Sequence, residues 1–272
     1  MKPLRREAEV ALSAAREAAA VILRVYAAPF DVEWKAKDDP VTVADKEANA
    51  LLCERLGRAF PGVPLVAEES DPAAYAGFGA ADAAWFIDPL DGTREFVAKN
   101  GEFAVMVGLA EGGHATVGVI VAPAWGRSFV GVVGEGAWEI DAAGAWKEIH
   151  VSTRETLAGA SFVVSRSRAP ERLAGFIASV GGKPVAHGSS GLKGALVATG
   201  EADVYLQPGR AGLRWDACAT DALVRAAGGT LTETSGADLD YRNGEIGNER
   251  GMIAANSGLH RAVIEAFARR PR

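Results

Sequence analysis

The chain has 272 residues, 49% of them hydrophobic, and a formal net charge of -6. That is enough material for one large core or two lobes sharing an interface, and a pI near 5.4 excludes a general nucleic-acid binder, whose phosphate contacts need a basic surface. Cys53 and Cys218 stand far apart and outside any Cys/His cluster, so neither a cysteine zinc site nor a disulfide framework is indicated.

The first ten residues intermix charges instead of forming an apolar leader, and no apolar run reaches membrane-span length. The expectation is a cytoplasmic protein with no membrane and no nucleic-acid partner. Residues 4–27 are Ala-rich with Arg5, Glu9, Arg16, Glu17 and Arg24 on one side, a long amphipathic helix that Pro29 stops. A loop with Lys35 and Lys37 leads to Pro40 and then to Thr42-Val43-Ala44-Asp45. This Thr-x-x-Asp opens a second helix carrying Leu51, Leu52 and Leu56, which Pro61-Gly62 ends. Strand signals cover 63–67, 84–87, 103–110, 116–121 and 128–133, the last three spaced as an antiparallel meander, while 71–83 reads as a mobile loop.

From 161 onward the pattern alternates. Strands are predicted at 161–164, near Val185, at 203–206 and at 230–232, with helices over 170–180, 192–199, 216–227 and 259–268. A boundary near Thr153 divides the chain into an α+β lobe, 1–152, and an α/β lobe, 153–272.

The strongest chemical signal is the apolar strand Ala84-Trp85-Phe86-Ile87 running into Asp88-Pro89-Leu90-Asp91-Gly92-Thr93. Pro89 and Gly92 force a turn, so two carboxylates can meet at one point while amides after Gly92 face outward. Hard oxygen donors suit Mg²⁺, and exposed amides near a helix start suit phosphate. An ordinary Asp-Pro and Asp-Gly turn is the plain alternative. Glu68 closes the strand before it, Asp216 opens a helix after Trp215, and Asp45 belongs to the capping motif. Each has a bland explanation alone; four acidic side chains at element ends favour a site. Phosphatases that form an aspartyl-phosphate carry Asp-x-Asp-Gly-Thr, one residue shorter than the segment here. Residues three apart do not share a strand face, so the spacing favours direct attack by water.

These residues resemble the lithium-sensitive, magnesium-dependent phosphatases that include inositol monophosphatase and the 3′(2′),5′-bisphosphate nucleotidases. The markers occur in order: Asp39-Pro40-Val41-Thr42-Val43-Ala44-Asp45, Glu68-Glu69-Ser70, residues 85–93, and Trp215-Asp216-Ala217-Cys218-Ala219 followed by Ala226-Ala227-Gly228-Gly229. The resemblance implies an α/β fold, a layered α/β/α/β/α sandwich with an antiparallel first sheet and a mixed second one. It also implies two or three Mg²⁺ ions: Glu68, Asp88 and the Leu90 carbonyl on one, Asp88, Asp91 and Asp216 on a second, and a weaker third near Glu68. Thr93, oriented by Asp45, would help deprotonate the attacking water, and the Gly92 and Thr93 amides would hold the phosphate.

Within that family, Arg94-Glu95-Phe96 and Asn100-Gly101-Glu102-Phe103 resemble the bisphosphate nucleotidases. So do Ser165-Arg166-Ser167-Arg168, Gly188-Ser189-Ser190-Gly191-Leu192-Lys193, Ala202-Asp203-Val204-Tyr205 and Leu239-Asp240-Tyr241. The substrate implied is a phosphate monoester of a nucleotide, adenosine 3′,5′-bisphosphate, contacted by His187, Ser189, Ser190, Lys193 and Arg210. Inositol monophosphate and a sugar bisphosphate are the alternatives, and a silent metal or anion binder is the non-enzymatic one. Many nucleotidases have an arginine shortly after the equivalent of Tyr205; here Gln207 comes first and Arg210 follows. Monomer and homodimer both remain open.

Overall fold

The protein is described here from a computed structural model covering residues 4–36, 39–167 and 171–269; Lys37, Arg168, Pro170 and the side chain of Asp39 lie outside the described residues. Helix α1 (Arg6–Tyr26) buries Ala8, Ala11, Leu12, Ala15, Ala18 and Ile22 along one face and stops ahead of Pro29. Where a loop was expected, β1 (Val32–Ala36) and β2 (Asp39–Thr42) form a two-stranded antiparallel ribbon. Helix α2 (Val43–Ala59) starts as its sequence predicts. The Thr42 hydroxyl accepts from the Ala44 amide at 3.2 Å and Asp45 Oδ2 accepts from the Thr42 amide at 2.7 Å, so both side chains satisfy amides that the helix start leaves open.

The first sheet has seven strands in sequence order: β3 (Leu65–Ala67), β4 (Ala83–Asp91), β5 (Ala104–Glu111), β6 (His114–Ala122), β7 (Arg127–Val132), β8 (Gly136–Ile140) and β9 (Trp146–Glu148). All neighbours are antiparallel except β3 and β4. Side chains alternate across it. Trp85, Ile87, Val105, Val107, Val117 and Val119 pack under α1 and α2. Phe86, Met106, Ile120 and Phe129 face the other way, toward α5 (Ser190–Ala198) and α6 (Arg214–Ala226).

The second sheet has five strands: β10 (Ser161–Ser165), β11 (Lys183–His187), β12 (Val204–Gln207), β13 (Gly229–Thr232) and β14 (Met252–Asn256), in the order β11-β10-β12-β14-β13. The β10/β11 and β10/β12 pairs are parallel and the two pairs with β14 antiparallel, so the sheet is mixed, as expected. Its inner residues Val163, Tyr205, Leu231 and Ala254 share one core with α5, α6 and the first sheet. On its outer face Phe162, Val204, Leu206 and Ile253 meet α4 (Glu171–Ser179) and α7 (Ser257–Ala268). The layers are therefore helix, sheet, helix, sheet, helix. Strand β14 has no period-2 signature in the sequence because it lies between β12 and β13 and is buried on both faces, and its alanines are poor strand formers.

Three glycines seat the middle helix layer against the first sheet. Gly108, Gly118 and Gly131 lie opposite one another on β5, β6 and β7. A Cβ on Gly108 would fall 2.6 Å from the Ala219 amide and one on Gly131 2.6 Å from Leu223 Cα; one on Gly118 would collide with the Ala219 carbonyl. This groove lets α6 approach the strands closely. It is also what delivers Asp216, on the first turn of α6, to the end of β4.

Residues 71–83 correct one expectation. They fold into two short 3₁₀ turns, Pro72–Tyr75 and Phe78–Ala80, pinned by Tyr75 on Trp215 and Phe78 on Phe86, with ring centroids 6.4 and 5.7 Å apart. Two buried aromatics anchor a segment whose small and polar residues otherwise read as loop.

Candidate active site

Strand β4 carries the carboxylates, and a bulge sets their direction. Asp88 is opposite Met106 and Asp91 opposite Ala104, so β4 uses three residues where β5 uses two. One extra residue restores a common face to side chains three apart. The argument from strand period against a shared face for Asp88 and Asp91 therefore fails at this position. Carboxylate oxygens of Asp88, Asp91 and Asp216 all lie within 4.8 Å of one another.

Asp88 and Asp91 are only 2% and 7% exposed. Asp88 Oδ1 accepts the Leu90 amide at 3.0 Å. Asp91 Oδ2 accepts the Gly191 amide at 2.7 Å and the Ser189 hydroxyl. Asp216 Oδ2 accepts the Leu213 amide at 2.6 Å, and a Cβ at Gly212 would lie 2.5 Å from that same oxygen, so only glycine fits there. Glu68 stands beside Asp88 and lies 3.6 Å from Lys35 Nζ, which also pairs with Glu69. Burial, followed by the Asp216 carboxylate, pushes the Glu68 carboxyl up to about 8. Burial, followed by the carboxylates of Glu68, Asp91 and Asp216, holds the Asp88 carboxyl well above its ordinary range. Oxygen donors that repel one another at close range, two of them buried and two partly exposed, are the donor set a hard divalent cation relieves, so these residues fit Mg²⁺.

Next to this cluster Gly92, at φ 94, turns the chain into the short helix α3 (Thr93–Val97). A Cβ there would fall 2.8 Å from the Glu102 carbonyl. Thr93 Oγ1 lies 3.1 Å from both Asp45 Oδ1 and the Leu90 carbonyl. Burial foremost raises the Asp45 carboxyl, against hydrogen bonds from Thr42 that lower it.

The expected recognition residues divide. Lys193, 4% exposed, points its ammonium at the Ser189 carbonyl and stands over the Tyr205 ring; Ser190 Oγ is 3.2 Å from the Tyr205 hydroxyl. His187 meets Trp125 edge-on, with Nε2 3.8 Å from Glu102. The Ser189 hydroxyl donates to Asp91 and accepts from the Leu192 amide, capping α5. Arg210 is on the surface: its side chain is 66% exposed and pairs with Glu249 at 3.4 Å. Glu95 and Glu102 carry no chemical signal of their own in the sequence beyond the motifs that contain them. Glu95 is buried against Gly188, and Glu102 receives the Gly188 amide at 2.6 Å and the Arg166 guanidinium. Nothing local in Arg94-Glu95-Phe96-Val97 marks the first as buried, and nothing local marks the second.

A layered α/β sandwich with buried oxygen donors at the bulged exit of a strand defines a class of phosphate-ester hydrolases. The sequence matches the inositol monophosphatase family over residues 4–272, and the chain belongs to that family of phosphatases. It is 36% identical over 230 residues to the 3′(2′),5′-bisphosphate nucleotidase CysQ of Escherichia coli O157:H7, covering 84% of this chain and 90% of that one. Among solved structures it is similar to the extragenic suppressor protein SuhB of Bartonella henselae, with TM-score 0.81, 26% identity, and coverage of 96% of this chain and 98% of the other. CysQ of Bacteroides thetaiotaomicron, a bacterial member of the inositol monophosphatase family, gives TM-score 0.77 at 27% identity over 92% of this chain and 97% of that one. No helix among the described residues is long and apolar enough to cross a membrane.

Proposed function

We propose that the protein is a Mg²⁺-dependent 3′(2′),5′-bisphosphate nucleotidase that converts adenosine 3′,5′-bisphosphate to AMP and phosphate. The observation that carries the reading is the convergence of Asp88, Asp91 and Asp216 beside the Thr93 and Asp45 pair. In this reading Glu68, Asp88 and the Leu90 carbonyl hold one ion, Asp88, Asp91 and Asp216 a second, and a weaker third sits by Glu68. When bound, the ions acidify water and neutralise phosphate oxygens.

The side chains supply the rest. Asp45, fixed by two hydrogen bonds from Thr42 at 2.7 Å, accepts the Thr93 hydroxyl proton and so turns a lone pair of Thr93 Oγ1 toward the attacking water. The Gly92 and Thr93 amides hold the phosphate in line for displacement, and no covalent enzyme intermediate is required. Lys193, with Ser190 and His187, receives the nucleotide beyond the scissile phosphate. The division into lobes 1–152 and 153–272 belongs to the same proposal: the first lobe contributes Asp45, Glu68, Asp88, Asp91 and Thr93, the second Asp216 and the recognition residues.

A single-phosphate substrate such as inositol 1-phosphate is the second reading, and membership of the inositol monophosphatase family supports it. The test compares kcat/KM for adenosine 3′,5′-bisphosphate, its sulfated analogue and inositol 1-phosphate in saturating Mg²⁺. A preference for the inositol ester rejects the nucleotidase reading.

A further inference from the structure

Ser189 stands at φ 55 and ψ 130. Residues other than glycine rarely enter this region, and holding one there costs on the order of 1–3 kcal/mol. Glycines flank it at 188 and 191, so a backbone-only solution is close at hand in the sequence. The side chain must therefore do something glycine cannot. Capping α5 through the Leu192 amide, at 3.0 Å, is too small a reason, since exchanging serine for glycine at a helix N-cap costs only a few tenths of a kcal/mol, roughly.

The other partner of Ser189 Oγ is Asp91. The hydroxyl hydrogen goes to Asp91 Oδ2, which also accepts the Gly191 amide at 2.7 Å. Two donors occupy that oxygen and leave Oδ1 as the one with lone pairs to offer. The backbone at Ser189 is held from both sides. Glu102 Oε2 accepts the Gly188 amide at 2.6 Å and is itself gripped by Arg166 Nε at 3.0 Å, while the Lys193 ammonium donates to the Ser189 carbonyl.

We infer that Ser189 is a positioning residue for cation binding: it holds Asp91 by Oδ2 so that Oδ1 faces the cation, and its backbone strain is retained for that hydroxyl. The inference rests on the reading of Asp91 as a metal ligand. It moves Ser189 from the substrate to the support of the metal site.

The test measures Mn²⁺ binding by electron paramagnetic resonance on wild type, Asp91→Asn, Ser189→Gly and Ser189→Ala, with thermal melts in EDTA. Wild type and Asp91→Asn binding Mn²⁺ equally would reject Asp91 as a ligand, separately from the role of Ser189. Given a difference there, both Ser189 variants are expected to bind Mn²⁺ about tenfold more weakly and to need more Mg²⁺ for half-maximal activity. Substrate KM at saturating Mg²⁺ should stay at the wild-type value. Because both variants lose the hydroxyl and only glycine relieves the strain, Ser189→Gly should melt above Ser189→Ala. Unchanged Mn²⁺ affinity, a raised KM with unchanged metal affinity, or a glycine variant melting below the alanine variant each overturns the inference.

Discussion

Replacing Lys193 with methionine is expected to stabilise the fold while it lowers activity on a bisphosphate. Burial, only partly offset by the carboxylates of Asp91, Glu95, Asp216 and Glu102, brings this ammonium down from 10.5 to about 8. The displacement corresponds to roughly 3 kcal/mol against carrying the charge in the folded chain. Methionine keeps the length and apolar stem of lysine and removes that charge. For a chain of this size about 2 °C of melting temperature accompanies each kcal/mol, so Lys193→Met should melt roughly 6 °C above wild type at pH 7 in EDTA. The offset has a pH signature. Below pH 8 both folded and unfolded wild type carry the proton and the cost is fully present. Between about 8 and 10.5 the unfolded chain holds a proton that the folded chain has released, so wild-type stability rises with pH and the gap closes. Circular-dichroism melts at pH 7 and pH 10 read both effects, and kcat/KM on adenosine 3′,5′-bisphosphate reads the loss of function. A variant that melts no higher than wild type at pH 7, or an offset that persists undiminished at pH 10, refutes the electrostatic argument.

Asp91→Asn should keep the circular-dichroism spectrum of wild type and lose phosphate release by about 100-fold or more; retained turnover would remove Asp91 from the metal set. Mg²⁺ titrated into metal-free protein at pH 7 should release protons, because Glu68 holds its proton up to about 8 in the absence of a cation. Calorimetry in buffers of different ionisation enthalpy counts them, and a buffer-independent heat contradicts the assignment. The same raised carboxyl makes the metal-free fold lose stability as pH climbs from 4.5 to about 8, since the folded chain binds the extra proton there; saturating Mg²⁺ should abolish that slope in denaturant titrations. Gly118→Ala, which drives a methyl group into the Ala219 carbonyl, should cost about 1–3 kcal/mol. Since α6 carries Asp216, it should also weaken Mg²⁺ activation, and an unchanged melting temperature would show that the groove has slack.

What could be read from the sequence is what neighbours along the chain decide. Thr42 and Asp45 serve the same first helical turn, so their spacing alone is enough to place a helix start. Apolar alternation on β4, β5 and β6 follows from the strand period, and the order of markers from Asp45 to Asp216 is a linear property that carries the family. The cluster of carboxylates at element ends belongs to this kind of information too. Its geometry does not. The bulge that turns Asp88 and Asp91 to one side exists only because β4 pairs with β5, and the same segment in isolation has the opposite parity.

Only the tertiary structure set the three glycines of β5, β6 and β7 under α6, since each is unremarked in its own strand and meaningful only when the strands lie side by side. It likewise committed Ser189 to Asp91 across 98 residues of chain and turned Arg210 outward to Glu249. The reason is common to all of these. A hydrogen bond or a close approach between distant residues depends on where the layers put the backbone, and the residue types supply only what will bond once it is there.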